Sequence, residues 1–470
     1  MPDALSSGTR RSLPRVALGV ALCLGLTWFY VSAATTHART VNLIKSRGDQ
    51  TGYLIDAKRI YSNWHGGTDD LIGERMRMPA YPAFLALLYS PSMSDDAFFE
   101  AAREWNVWLS VALLCGLAAV FVRSLPLLPA VNLTLVVAFG YFIFKAGYSQ
   151  PELLSYAVFF AMFLASCALL MQPREQPAVR LAVLAGLLGG ATHLTKAVMP
   201  PFLGAFGAAY VGQELWILRE ARLEGDSQRV TREVRATVRR LAALALMLAV
   251  FTAVVFPYIS TSKRVFGSYF FNANTAYYIW YDTGAQARAL LLPHTDQRGV
   301  IDIPVEQLPT MSTYLATRTT GQIAQRFTDG IRDMAVRAFA DTGFGTYLTL
   351  YLAAVGAVLL SCRREALALA RVHAGPLVFL ALYAVVFTAS TAFFSAISGT
   401  GTGRFLLMHA TPALFTLSWL LTREPFSRCT WQVGSATVTV GHVHLFITAT
   451  LAVDLAFFVW PRLMTTYGGF

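Results

Sequence analysis

The chain has 470 residues, of which 55% are hydrophobic and only 14% charged. A soluble domain carries about 25% charged residues, so a soluble globular enzyme is excluded and a membrane protein with many spans is implied. The net charge of +11, from 38 Lys and Arg against 27 Asp and Glu, fits basic residues flanking spans, and no basic patch on a readout fold points to nucleic acid.

Apolar runs long enough to cross a bilayer fall near residues 14–34, 104–123, 126–146, 152–171, 180–197, 198–217, 241–259, 343–361, 375–394, 404–421 and 441–460. The expected fold is an all-α polytopic bundle of about eleven spans, a single domain over 1–470. The first run follows Arg10, Arg11 and Arg15. A signal peptide cleaved after Ala33 is the competing reading; the run from Val16 to Ala34 is long enough to stay as a span. Basic residues in "QPREQPAVR", "LREARLEGDSQRVTREVRATVRR", "SCRREALALARVH" and "TREPFSRCT" place those loops inside. Two long segments then lie outside, 35–103 and 260–342. Of the five cysteines, Cys23, Cys115 and Cys167 sit in apolar runs, and Cys362 and Cys429 in inside segments. No extracytoplasmic disulfide and no zinc site are expected.

The polar chemistry gathers on the outer side. In "SRGDQTGYLIDAKRIY", Tyr53, Ala57 and Ile60 recur at helical spacing and predict a short surface helix with Asp49 at its start. Asp49 is then either an N-cap, which Asp favours, or a carboxylate with a chemical role. "RMRMPAYP" follows, with Arg75, Arg77 and Tyr81. "YSQPELLSYAVFF" puts Glu152 at the outer start of a span. "GGATHLTKAVMPPF" supplies His193, Thr195 and Lys196, and "GTGRFLLMHATPALFTL" supplies Arg404, Phe405 and Pro412. Lys196 and Arg404 also suit snorkelling at span ends, Arg75 suits an unpartnered loop residue, and His193, one turn before Lys196, suits a core histidine. His65 with Asp69 and Asp70 raises a metal, against ordinary loop solvation. Asp454 is an intramembrane acid that Arg462 could pair. The Arg-rich stretch 227–240 carries Val230, Val234 and Val238 at helical spacing and predicts a membrane-surface helix. The helical stretch from Met311 is expected to cover the membrane face. The aromatics of "SYFFNANTAYYIWYDTG" suit a sugar groove or an interfacial belt.

Taken in order, these stretches resemble the GT-C superfamily of membrane glycosyltransferases, in the branch of protein O-mannosyltransferases, lipid A aminoarabinose transferases and lipopolysaccharide core sugar transferases. That branch follows its first span with Asp-Glu, then Tyr and Ala at helical spacing, then a basic-x-Pro with an aromatic. Here these are Asp49-Gln50, Tyr53, Ala57 and "RMPAYP"; Gln50 departs from the usual Glu and cannot act as a base. The "LTK" and "GRFLL…PAL" elements match further along, and the resemblance spans residues 14 to about 420.

The resemblance implies an inverting transferase that moves a sugar from a polyprenyl-phosphate donor to a lipid, glycan or protein acceptor of the cell envelope. It implies Asp49 and Glu152 as catalytic carboxylates. Lys196, Arg404, Arg75 and Arg77 would hold the donor phosphate, and Tyr53, Tyr81 and His193 would line the substrate site. The resemblance fixes no cofactor, and a divalent metal is left open because no ligand set stands out. The expected location is a bacterial inner membrane with the site outside. A flippase or transporter of a lipid-linked glycan, or a non-catalytic assembly subunit of the same fold, are the rival readings.

Overall fold

The computed structural model describes residues 13–46, 48–67, 77–176, 178–294, 309–340, 343–398 and 402–465. Arg75, Asp69 and Asp70 lie outside the described residues. In chain order the helices are α1 (Leu13–Thr40), α2 (Gln50–Trp64), α3 (Ala80–Ala86), α4 (Asp95–Ser124), α5 (Leu127–Ala146), α6 (Glu152–Met171), α7 (Val179–Thr195), α8 (Met199–Leu223) and α9 (Ser227–Phe266). They continue with α10 (Gly284–Leu291), α11 (Met311–Thr317), α12 (Thr320–Ala340), α13 (Phe344–Ser361), α14 (Arg363–Val372), α15 (Ala374–Ser398), α16 (Thr402–Leu421), α17 (Val440–Phe457) and α18 (Val459–Thr465).

Among the described residues, 8 helices are long and apolar enough to cross a membrane: α1, α4, α5, α6, α9, α13, α15 and α17. α7 is apolar but shorter, and α8 and α16 occupy the two remaining apolar runs. Large apolar side chains such as Trp28, Trp108, Leu184, Phe256, Val385 and Phe457 face outward. In water such a surface would drive association; in lipid it is solvated. The protein is an all-α, multi-pass membrane bundle. One end carries the two long segments (the long-loop end), and the other carries the arginine-rich turns (the basic end).

The first long segment folds as the spacing predicted. α2 buries Tyr53, Leu54, Ala57 and Ile60, which pack with Tyr81 and Leu85 of α3 and Phe98 and Phe99 of α4 in a small core of their own. Gly48, at φ +67°, makes the turn into α2 in a conformation that favours glycine. Two helices run further than their apolar cores: α1 continues to Thr40, and α4 begins at Asp95. Their overhangs meet where Arg103 donates to the carbonyls of Ala38 and Asn42, the latter at 2.6 Å.

The second long segment lies against α15. Arg326 of α12 donates to the Phe393 carbonyl at 3.0 Å and to the Ile279 carbonyl at 2.8 Å, and its guanidinium stacks on Phe393. α12 thus covers the long-loop end of α15. Asp454 accepts from Tyr347 Oη at 2.8 Å and from Arg462 at 3.0 Å, the ordinary pairing that the sequence allowed.

At the basic end the stretch 227–240 is not a separate helix. It is continuous with the following span in the 40-residue α9, whose start is capped by Asp226 accepting from the Gln228 and Arg229 amides. Arg240 is buried there. It meets Glu214 at 2.5 Å, and Arg174 meets the other Glu214 oxygen at 2.7 Å. Two further features at this end were not legible in the sequence. Thr430–Val433 and Ala436–Thr439 form an antiparallel hairpin, and Cys362 and Cys429 are joined by a disulfide.

Candidate active site

At the long-loop end a cavity of about 280 Å³ opens between α2, the Arg77–Met78 turn, the start of α6, the α7–α8 link, α15 and the start of α16. Its size is at the lower edge of small-ligand pockets, about 300–1,000 Å³. One wall is charged and holds Asp49, Glu152, Lys196, Arg404 and Arg77. The rest of the lining is largely apolar and includes Val198, Ile279, Phe387, Phe394 and Met408.

Asp49 is the N-cap residue of α2, yet its side chain makes no capping hydrogen bond. It accepts instead from Arg404 Nη1 at 2.6 Å. The capping reading of Asp49 is therefore not what the structure shows. The same Nη1 lies 3.9 Å from Glu152 Oε1, and Lys196 Nζ lies 3.3 Å from that oxygen. Glu152 is almost fully buried, and its Oε2 has no hydrogen-bond partner among the described residues; neither has the buried Nε of Arg404. A buried polar atom left open in this way is costly, and both belong to residues that line the cavity.

Local sequence explains these positions. Pro151 precedes α6, so Glu152 is its first residue. α7 ends at Thr195, and Lys196 takes an extended conformation, with φ −154° and ψ 131°. That swings its ammonium across to Glu152 and over the Phe405 ring, 4.6 Å from its centre. Arg404 stands in the first turn of α16 beside Phe405, and its carbonyl accepts from Tyr156 Oη at 2.8 Å. Arg77 reaches Asp56 on α2 at 2.8 Å. Gly52 makes room for it, because a Cβ there would collide with the guanidinium.

Burial works against the Asp49 charge, but the charge and hydrogen bond of Arg404, followed by Arg77 and Lys196, outweigh it and hold its pKa below the ordinary value. Tyr53 is buried and faces the Glu152 and Asp49 charges, which together hold its phenol well above the usual range. It lines the cavity as a neutral group.

Six of the nine expected residues therefore line one cavity: Asp49, Glu152, Lys196, Arg404, Arg77 and Tyr53. Arg75 is outside the described residues. Tyr81 and His193 do not line it. Tyr81 is fully buried behind Tyr53, with ring centres 5.6 Å apart, and donates to Asn106 at 3.0 Å. His193 packs against Phe251 and Phe270.

The sequence reading missed two groups. His409 lines the cavity, its Nδ1 2.5 Å from Tyr383 Oη. Lys145, buried near the end of α5, is close enough for its charge to act on Glu152. As an ionisable residue in an apolar run, Lys145 had a signal. Among the described residues no group of three or more His, Cys, Asp or Glu is arranged to hold a metal ion.

Fold and site together define a multi-pass helical membrane protein with a charged cavity at its long-loop end. No protein-family model, curated protein or solved structure matches the chain.

Proposed function

We propose that this protein is an inverting glycosyltransferase of the GT-C type, with about eleven spans and its long-loop end on the extracytoplasmic face of a bacterial plasma membrane. It moves a sugar from a polyprenyl-phosphate donor to an acceptor of the cell envelope. One observation carries the reading. A carboxylate from the first long segment, Asp49, is paired with a guanidinium from the distant helix α16, and both line a cavity that also has apolar lining residues. The order of the motifs resembling the GT-C branch supports it.

The chemistry follows from the charges. The acceptor hydroxyl or amine attacks the anomeric carbon from the face opposite the phosphate. The carbon–oxygen bond to phosphate breaks, and polyprenyl phosphate leaves with the bonding pair. Asp49 takes the acceptor's proton as general base. Arg404, Lys196 and Arg77 hold the phosphate and stabilise the charge that grows on it. The guanidinium of Arg404 grips two phosphate oxygens at once, and Lys196 acts as a point charge. Glu152 orients Lys196 and Arg404 and offers its open Oε2 to a sugar hydroxyl. The apolar lining residues take the first units of the lipid, and Phe405 and Phe394 offer ring faces to the sugar.

Asp49 shares Arg404 with the phosphate. When the donor takes the guanidinium, part of the ion pair on Asp49 is released and its basicity rises. Proton transfer is then favoured after the donor is seated.

The test is direct. Membranes containing the protein are given a labelled polyprenyl-phosphate sugar and an envelope extract. The proposal expects free polyprenyl phosphate and a labelled acceptor. Donor that crosses the bilayer intact would support the transporter reading, and neither outcome would leave only an assembly role.

A further inference from the structure

Gln50, the residue that departs from the Asp49 motif, is left without a task by the proposed chemistry. It is fully buried, directly follows Asp49, and forms a paired amide with Asn42. Asn42 Nδ2 donates to Gln50 Oε1 at 2.8 Å, and Gln50 Nε2 donates to Asn42 Oδ1 at 2.8 Å. The same Oε1 accepts from the Ser149 amide at 3.1 Å and from the Ser149 hydroxyl at 3.3 Å.

The partners are themselves fixed. Asn42 Nδ2 also donates to the Gly147 carbonyl at 2.9 Å. The Asn42 carbonyl accepts from Arg103 at 2.6 Å. Ser149 belongs to the short turn that ends at Pro151 and sets the first residue of α6, Glu152. One side chain therefore ties the segment bearing Asp49 to the segment bearing Glu152.

We infer that Gln50 is a positioning residue, which fixes Asp49 relative to Glu152 through a brace of hydrogen bonds to Asn42 and Ser149. The inference rests on the reading of Asp49 as the base. The task requires an amide. The position donates to the Asn42 oxygen and accepts from two nitrogens and a hydroxyl, which an amide does in one orientation. An ionised carboxylate only accepts. It would leave Asn42 Oδ1 without its donor and add a buried negative charge beside Asp49 and Glu152. A chain that builds its second carboxylate at Glu152 needs no acid at 50, and uses the position to hold the two carboxylates in register.

The experiment uses the full chain in membranes or detergent, with Gln50→Leu, Gln50→Asn, Asn42→Gln and the double swap Asn42→Gln/Gln50→Asn. The swap moves one methylene across the pair and keeps both amides. Three readouts are taken on folded protein: kcat and KM for the polyprenyl-phosphate donor, the acid limb of the pH–rate profile, and deuterium uptake at the Ser149 amide. Small displacements of a reacting group cost on the order of a hundredfold in rate. Gln50→Leu is expected to lose kcat on that scale, to change KM by less than about threefold because the cations remain, to shift the acid limb, and to speed exchange at Ser149. The double swap is expected to recover most of what Gln50→Asn loses. If Gln50→Leu does not fold, the swap series carries the same test. A folded Gln50→Leu with full kcat, or a swap no better than its parent, overturns the brace. Should the wild-type protein fail to use the donor, the functional reading falls. Exchange at Ser149 then decides alone: faster exchange in Gln50→Leu keeps the brace, and unchanged exchange overturns it.

Discussion

Arg404 Nη1 lies 2.6 Å from Asp49 Oδ2 across a sequence separation of 355 residues. The pair closes the first long segment onto α16 and brings the charged wall of the cavity together. It is also where Asp49 departs from ordinary helix capping.

Removing the cations should weaken donor use. A hydrogen bond to a charged group contributes about 1.5–3 kcal/mol, roughly ten- to 150-fold. Arg404→Ala and Lys196→Ala should each raise donor KM or lower kcat/KM on that scale. Steady-state kinetics with the labelled donor checks this. Wild-type kinetics in both variants would return the two residues to snorkelling.

The pH dependence has a definite sign. Arg404 is the main charge holding the pKa of Asp49 below its ordinary 3.8 against the opposing effect of burial. A carboxylate with a depressed folded pKa is ionised above that value. The stability it contributes is present above the unfolded pKa and is lost as pH falls through the folded one. The wild-type pH–rate profile should therefore show no loss from Asp49 between about pH 5 and 7. Arg404→Gln leaves burial less opposed and should move the acid limb upward. An unmoved limb would remove Asp49 from the base role.

Much of the fold was legible in the sequence, and the reasons for the rest are physical. The face of α2 could be read because Tyr53, Ala57 and Ile60 share a helical period, and the structure buries all three. The partner of Asp49 could not be read, because only tertiary packing joins residues so far apart. His193 seemed a neighbour of Lys196 at one turn's distance. α7 ends between them, so Lys196 leaves the helix and His193 stays on it. Tyr81 follows the Arg77 motif in sequence, but it lies on the face of α3 that packs beneath Tyr53. The continuity of α9 was hidden by its change from a basic amphipathic stretch to an apolar one.

The buried charges at the basic end make a stability prediction. Glu214 is fully buried and faces both Arg240 and Arg174. Glu214→Leu would take the carboxylate away from the buried Arg240, while Arg174 keeps Glu233 at 3.0 Å, and breaking a buried pair costs about 3–5 kcal/mol. Thermal unfolding in detergent should show a marked loss of stability. The same midpoint as wild type would mean that the arginines find other partners.

Topology is checked by reporter fusions. A fusion at residue 225, between α8 and α9, should report a cytoplasmic location, and one at residue 90 an external one. The reverse pattern would place the cavity on the wrong face for an extracytoplasmic donor site.

The central claim is that Asp49 is the base, and Asp49→Asn tests it most directly. Asparagine caps a helix as well as aspartate does and keeps the side-chain shape, but it cannot take a proton. Donor turnover is measured on folded Asp49→Asn and wild-type protein under the same conditions. The account predicts a fall of about a hundredfold or more with the protein still folded in the membrane. A folded Asp49→Asn protein that turns over donor at the wild-type rate would contradict it.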